Sequence, residues 1–181
     1  MRRHLAALAL LLLAAACAVP QPGPGTPATV AAVDLNRYAG TWHEAARLPA
    51  PFQDGPGVAC ADVTATYTPR PDGRVGVVNR CRNAAAGGAE RVAYGNAYVV
   101  EGSDGARLRV SFFWPFYGDY WVIGLDPGYR WAVVGDPERK YLWILSRTPA
   151  MRTEDYARAV AIARAQGFPV ERLQPTPQSE A

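Results

Sequence analysis

Chemistry in a protein starts from histidine, cysteine and carboxylate side chains, and this chain is sparing with the first two. Its 181 residues include two histidines and three cysteines. His4 falls in a basic N-terminal tetrapeptide, so His43 is the one imidazole in the body of the chain. A nucleophilic triad would have to use it, but no serine is near it in sequence and no Gly-x-Ser-x-Gly elbow occurs. No His, Cys, Asp or Glu cluster has metal-ligand spacing, and no glycine-rich phosphate loop is present. Cys60 and Cys81 leave three options: a disulfide, two buried thiols, or one reactive thiol acting as a nucleophile. The residues therefore favour binding over catalysis, with a pocket thiol as the strongest enzymatic alternative.

Short strands must position these groups. From Tyr38 to Ser146, β-branched and aromatic runs alternate with Gly, Pro and Asp. Strands are expected over Gly40–Leu48, Ala61–Thr68, Arg74–Cys81, Arg91–Val100, Arg107–Phe113, Tyr120–Asp126, Arg130–Gly135 and Tyr141–Ser146. Asp72-Gly73, Asp104-Gly105, Asp126-Pro127-Gly128 and Asp136-Pro137 supply turns. Eight strands with short links predict an all-β, antiparallel, up-and-down barrel, closed so that no edge is left and roomy enough for one small ligand. One α-helix follows, capped by Thr153, with Glu154 and Asp155 at its positive end and Gly167 at its stop. Its face of Tyr156, Ala159, Val160 and Ala163 would pack on the outer wall. Phe168 to Leu173 reads as a last short strand. Cys60 and Cys81 flank the second and third strands. A register pairing residues 67 and 74 sets the cysteines opposite one another, with a loop over residues 68–73 or a bulge in a tighter hairpin. A cross-strand disulfide suits that placement in an oxidising compartment.

The N-terminus carries a different message. Met1-Arg2-Arg3-His4 is a positive n-region, Leu5 to Leu13 is apolar, and small residues lead into Cys17. The apolar run is shorter than the roughly 20 residues a membrane span needs, so residues 1–16 read as a signal peptide. Ala14-Ala15-Ala16-Cys17 resembles the lipobox of bacterial lipoproteins, with Ala14 in place of the usual Leu. The resemblance implies cleavage before Cys17 and its acylation, such as with palmitate, as a membrane anchor. Ordinary cleavage leaving a free thiol is the alternative. Ala18 is not the Asp that goes with a different sorting fate, which fits outer-membrane placement. Residues 18–32, rich in Pro, Gly, Ala and Thr, read as a flexible tether, and the stretch 175–181 as a frayed tail. The domain itself is expected over 33–174. Losing Arg2 and Arg3 from 19 basic residues leaves 17 against 16 acidic ones. That near-neutral balance gives no reason to expect a nucleic-acid partner.

Asn36-Arg37-Tyr38-Ala39-Gly40-Thr41-Trp42 resembles the opening block of lipocalins, whose first strand carries Gly-x-Trp. Gly118-Asp119-Tyr120-Trp121 falls where that family places a Thr-Asp-Tyr-like turn, and Arg147 where it places an Arg that stacks on the Trp. Pro115 to Ile123, Val63 to Tyr67, Val77 to Cys81 and Asp136 to Pro149 resemble the bacterial outer-membrane lipocalins, related to apolipoprotein D. His43 departs from the usual Tyr. The resemblance implies an eight-stranded barrel binding a fatty acid or lysophospholipid in the periplasm. It makes Gly40, Trp42 and Arg147 the closure of one barrel end.

Strand alternation nominates the interior. With Trp42 inward, Glu44 and Ala46 follow it, while His43 and Arg47 face out. The outward preference of Arg107 and Arg109 turns Leu108, Val110, Phe112 and Trp114 in. Tyr120, Tyr141, Trp143 and Leu145 complete an aromatic, apolar lining with few polar groups, as an acyl chain requires. Glu44, buried among these, needs a partner: a ligand head group or a neighbouring Tyr. No cofactor and no metal are expected. A surface-acting structural or inhibitory lipoprotein remains the other non-catalytic reading.

Overall fold

The computed structural model describes residues 25–179, so the leader and Cys17 lie outside the described residues. Eight strands run in order: β1 Gly40–Arg47, β2 Cys60–Pro69, β3 Val75–Asn83, β4 Ala89–Val99, β5 Arg107–Phe113, β6 Phe116–Leu125, β7 Trp131–Gly135 and β8 Leu142–Ser146. Each pairs antiparallel with the next, and β1 pairs with both β8 and β2, closing the barrel. The turns follow their residue chemistry. Asp104 and Gly105 both take positive φ, 47° and 80°, as the central pair of a turn closed by the Ala106 amide donating to the Ser103 carbonyl. Asp126 accepts the amides of Gly128 at 2.9 Å and Arg130 at 3.2 Å. The Arg130 guanidinium beside it pulls its carboxyl down to about 2.

One end of the barrel is covered by a one-turn helix, α1 (Leu35–Tyr38), started by the Asp34 carboxylate, which accepts from the amides of Asn36 and Arg37. The other end is a mouth, bordered by the short α2 (Pro51–Asp54) in the β1–β2 connection, by the β3–β4 turn, and by the β5–β6 and β7–β8 loops. Outside, α3 (Thr153–Ala165) lays Ala159 and Ala163 on Trp121, Ile123, Trp131, Val133 and Ile144. Small residues make that approach close. A Cβ added at Gly135 would come within 2.5 Å of the Phe168 ring. Thr153 is the first helical residue and not the cap: Arg152 takes the cap position without a side-chain bond.

The chain ends are more ordered than their composition suggests. Residues 25–32 are not a free tether: Val30 donates to the Val122 carbonyl at 2.9 Å and Pro27 is fully buried. Phe168 to Leu173 is no strand, because a 3-10 turn occupies Val170–Arg172 directly after Pro169. The strand comes later, as β9 (Gln174–Pro175), pairing with β1. The expected fraying from 175 onward fails over 175–179. Thr176 donates its amide to Ala45, Gln178 bridges the carbonyls of Glu44 and Val63, and Asp62 binds Ser179. Upper β1 and β2 diverge, and this segment fills the seam between them.

The β2–β3 register also differs from expectation. Tyr67 faces Val77, three residues beyond the expected partner, and the hairpin is tight, with Arg70 donating to Arg74. A bulge between Ala61 and Thr64 then sets Cys60 opposite Asn83, so Cys81 is its diagonal neighbour on the same face. The two sulfurs are bonded, with Cα atoms 5.4 Å apart. The cross-link spans a sequence separation of 21, and closing such a loop stabilises by about 3 kcal/mol. Replacing both cysteines by serine is expected to lower the free energy of unfolding by about that amount in urea titrations under non-reducing conditions.

Candidate ligand-binding cup

The inner wall follows from register. On β4, Ala93, Gly95 and Ala97 share the face that packs against inward Val75 and Val77, and their small side chains leave room inside. On β5, Leu108, Val110 and Phe112 point in. Phe112 lies against Gly95, where an added Cβ would meet its ring at 2.8 Å. Ala93 and Gly118 face inward yet are solvent-exposed, so the upper half of the barrel is an open cup. On the far wall Tyr141 and Trp143 stack at 5.7 Å with planes 7° apart. Phe52 of α2 stands 5.7 Å from Tyr141 and 6.4 Å from Trp143.

Three phenols line the deep end of this cup. Tyr38 from α1, Tyr67 from β2 and Tyr120 from β6 form a hydrogen-bonded chain, with Tyr120 2.8 Å from each partner hydroxyl. Burial pushes all three well above the ordinary tyrosine range, which keeps them neutral. At this depth, among Val33, Leu35, Leu108, Val110 and Val122, the enclosed space is about 10 Å³, room for one water. The open part of the barrel lies above the tyrosines, where Ala93 and Gly118 are exposed.

Glu44 is buried, but no tyrosine satisfies it. A bulge in β1 between Glu44 and Ala46 reverses the alternation, turning Ala46 onto the outer wall and Arg47 into the barrel. The expected sides of Ala46 and Arg47 are thus exchanged. Arg47 reaches Glu44 at 2.7 Å, the Thr176 hydroxyl at 2.9 Å, the Cys60 carbonyl at 3.2 Å and the Asp54 carboxylate through two nitrogens. Gln53 donates to the second Glu44 oxygen at 2.8 Å and accepts from the Trp143 indole at 3.0 Å. Burial opposes the Arg47 charge, but the carboxylates of Asp54 and Glu44 outweigh it and raise its pKa. Asp54 is held low chiefly by its bond to Arg47.

The closed end is built on Trp42, which is fully buried. Arg147 lies over its ring at 3.8 Å, and Tyr38 packs at 4.8 Å and accepts its indole N–H at 2.8 Å. Arg147 donates to the carbonyls of Arg37, Tyr38, Thr41 and Tyr129. Gly40, at φ 92°, stands where a Cβ would come to 3.4 Å from that guanidinium.

Of the residues expected to line the cavity, Leu108, Val110, Phe112, Tyr120, Tyr141 and Trp143 come together around the cup, with Glu44 in its polar wall. Trp114 does not: it is 84 % exposed at the β5–β6 tip, because the strand ends at Phe113 and alternation stops there. Tyr38, Tyr67, Arg47, Gln53 and Thr176 were not anticipated. Tyr67 alone carried a sequence signal, two residues beyond Ala65 on one strand face. Cys60 and Cys81, joined to each other, supply no thiolate.

Residues 33–178 match the family model for the lipocalin-like domain. The outer membrane lipoprotein Blc of Escherichia coli K12 is 44 % identical over 140 residues, covering 77 % of this chain and 76 % of that protein. Temperature-induced lipocalin-1 of Arabidopsis thaliana is 40 % identical over 159 residues, covering 83 % and 82 %. Among solved structures, insecticyanin from the tobacco hornworm superposes with a TM-score of 0.67 at 17 % identity, covering 86 % of this chain and 85 % of that one. An eight-stranded closed barrel with its helix outside, closed at one end by Trp42 under Arg147 and matched over 33–178, makes this chain a member of the lipocalin family.

Proposed function

We propose that this protein is an envelope lipoprotein that carries a single-chain lipid, a fatty acid or lysophospholipid, in the cup above Tyr38, Tyr67 and Tyr120. The observation that carries this reading is the open upper barrel, walled by Val110, Phe112, Tyr141 and Trp143, with its buried charges already paired to one another. An acyl chain entering there displaces water from apolar surface. Its head group stays at the mouth, where Arg91 of β4 is exposed and donates to the Phe52 carbonyl. Acylation of Cys17 and an outer-membrane location facing the periplasm are supported by the leader-like N-terminus and by the bacterial relatives named outer membrane lipoproteins. No catalytic step is assigned.

Titration with lysophosphatidylcholine or a long-chain fatty acid should quench tryptophan fluorescence saturably at micromolar concentration. Trp143→Phe should remove part of that signal, since Trp143 is the indole that faces the cup. Absence of saturable binding by either lipid would overturn the carrier reading in favour of a surface-acting lipoprotein.

A further inference from the structure

The β5–β6 tip places three large apolar side chains in water: Phe113 is 80 %, Trp114 84 % and Phe116 77 % exposed. Phe52, half exposed, stands on the same rim. None of these four contributes to the core, and the three at the tip, where Phe113 pairs with Phe116, form an exposed apolar cluster of the kind that marks an interaction surface. Two further features of the mouth say what covers it.

The first is where the chain comes from. Gly25 lies at the mouth, its carbonyl bound by Arg139 of the β7–β8 loop, and the chain descends from there past Val30 to Val33 at the closed end. Seven residues separate Cys17 from Gly25, and fully extended they reach at most about 28 Å. The barrel is itself about 25 Å tall. An anchor on Cys17 thus brings the mouth to the bilayer with slack, and would bring the closed end there only at near-complete extension. The second feature is charge. Glu90 is occupied by Arg80 at 3.2 Å, and Asp62, bonded to Ser179, also faces Arg82. Exposed Arg82, Arg91 and Lys140 still outnumber the exposed Glu138 around the rim. A basic rim with an aromatic tip fits an anionic phospholipid surface.

We propose that the mouth of the barrel docks on a bilayer, with Phe113, Trp114 and Phe116 inserted at headgroup level, so that the cup opens onto the lipid it loads. The orientation rests on the anchoring reading above; the docking surface does not. A lipid can then pass between membrane and cup without crossing water.

The test uses the exported Cys17→Ser protein, which has no acyl anchor, and vesicles of phosphatidylcholine with and without phosphatidylglycerol. Flotation with the vesicles is expected, stronger with phosphatidylglycerol. Phosphatidylcholine brominated on its acyl chains should quench emission, and Trp114→Phe should lose most of that quenching. Phe113→Ser, Trp114→Ser and Phe116→Ser combined should weaken vesicle binding by about tenfold or more, with an unchanged thermal unfolding midpoint as the check on folding. Vesicle binding equal to that of the parent, or quenching that survives Trp114→Phe, overturns the proposal. So does a vesicle-free dimer that the triple substitution dissolves, since that assigns the tip to a second copy of the chain. The mass of the N-terminal peptide of the Cys17 protein reports anchoring separately, so failure of the anchor and failure of the docking surface are told apart.

Discussion

Replacing Arg47 with methionine is expected to destabilise the fold by about 3–5 kcal/mol. The side chain is buried and holds two carboxylates, Glu44 and Asp54, while also bonding Thr176 and the Cys60 carbonyl. Methionine fills similar volume but leaves Glu44 as a buried anion with only neutral donors, Gln53 and Thr176. Adding Glu44→Gln to Arg47→Met removes that charge and should return about 1–2 kcal/mol, a coupling that a double-mutant cycle in urea measures directly. The pH dependence has a definite sign. Asp54 has a lowered folded pKa because it is bonded to Arg47, so the stability it supplies is present above the ordinary carboxylate range and is lost as pH falls through the folded value. Wild-type stability should therefore decline on acidification below about pH 4, and Arg47→Met should decline less. A loss under about 1 kcal/mol in Arg47→Met would mean that the ion cluster is not what holds upper β1 to α2 and the tail.

The cluster also explains why part of the site escaped sequence reading. Alternation places strand residues correctly while the strand stays regular, and it served well for Leu108, Val110 and Phe112 on β5 and for Trp42 and Glu44 on β1. One extra residue at the β1 bulge reverses everything beyond it. Nothing in Glu44-Ala45-Ala46-Arg47 announces that bulge, because α3 and its neighbours make the outer wall apolar as well, and an alanine suits either side. The tail misled for a related reason. Gln174 to Ser179 looks polar and structureless, yet its side chains and amides supply the donors that the gap between β1 and β2 lacks. Trp114 was placed inward by continuing a two-residue period past the last residue of β5. The cysteine pairing was readable and its register was not, since a hairpin's turn and a bulge can shift in compensation.

Function and fold meet at the seams of this barrel. The closed end is bound by a single arginine to four carbonyls, the mouth by an ion cluster and the tail, and the middle is left to small β4 residues that leave the wall thin. The rigid ends free the upper interior from holding the structure together. This division suits the carrier reading proposed above: the lining of the cup is free of the charges that fix the strands, and those charges stay paired to one another.

Trp42→Ala, at the closed end, is expected to lower stability by about 3–5 kcal/mol, the usual range for emptying a buried aromatic site. The loss has three physical parts. The indole fills the space between Tyr38 and Arg147, and alanine leaves a cavity that the β1 backbone, paired on both sides, cannot collapse into. The bond from the indole nitrogen to the Tyr38 carbonyl disappears. Arg147 loses the ring face that compensates its desolvation, a contact of about 1–2 kcal/mol in such surroundings. Trp42→Phe separates these parts, because it keeps a ring beneath Arg147 while deleting the indole donor, and should cost about 1–2 kcal/mol. Arg147→Lys removes the planar fork and should release α1 from the turn over 126–130. That release is measurable as faster amide exchange at Tyr38 and Ala39, whose amides bond back to Asp34 and Leu35. A Trp42→Ala protein that unfolds within about 1 kcal/mol of wild type would show that α1 and Arg147 close the barrel without the indole.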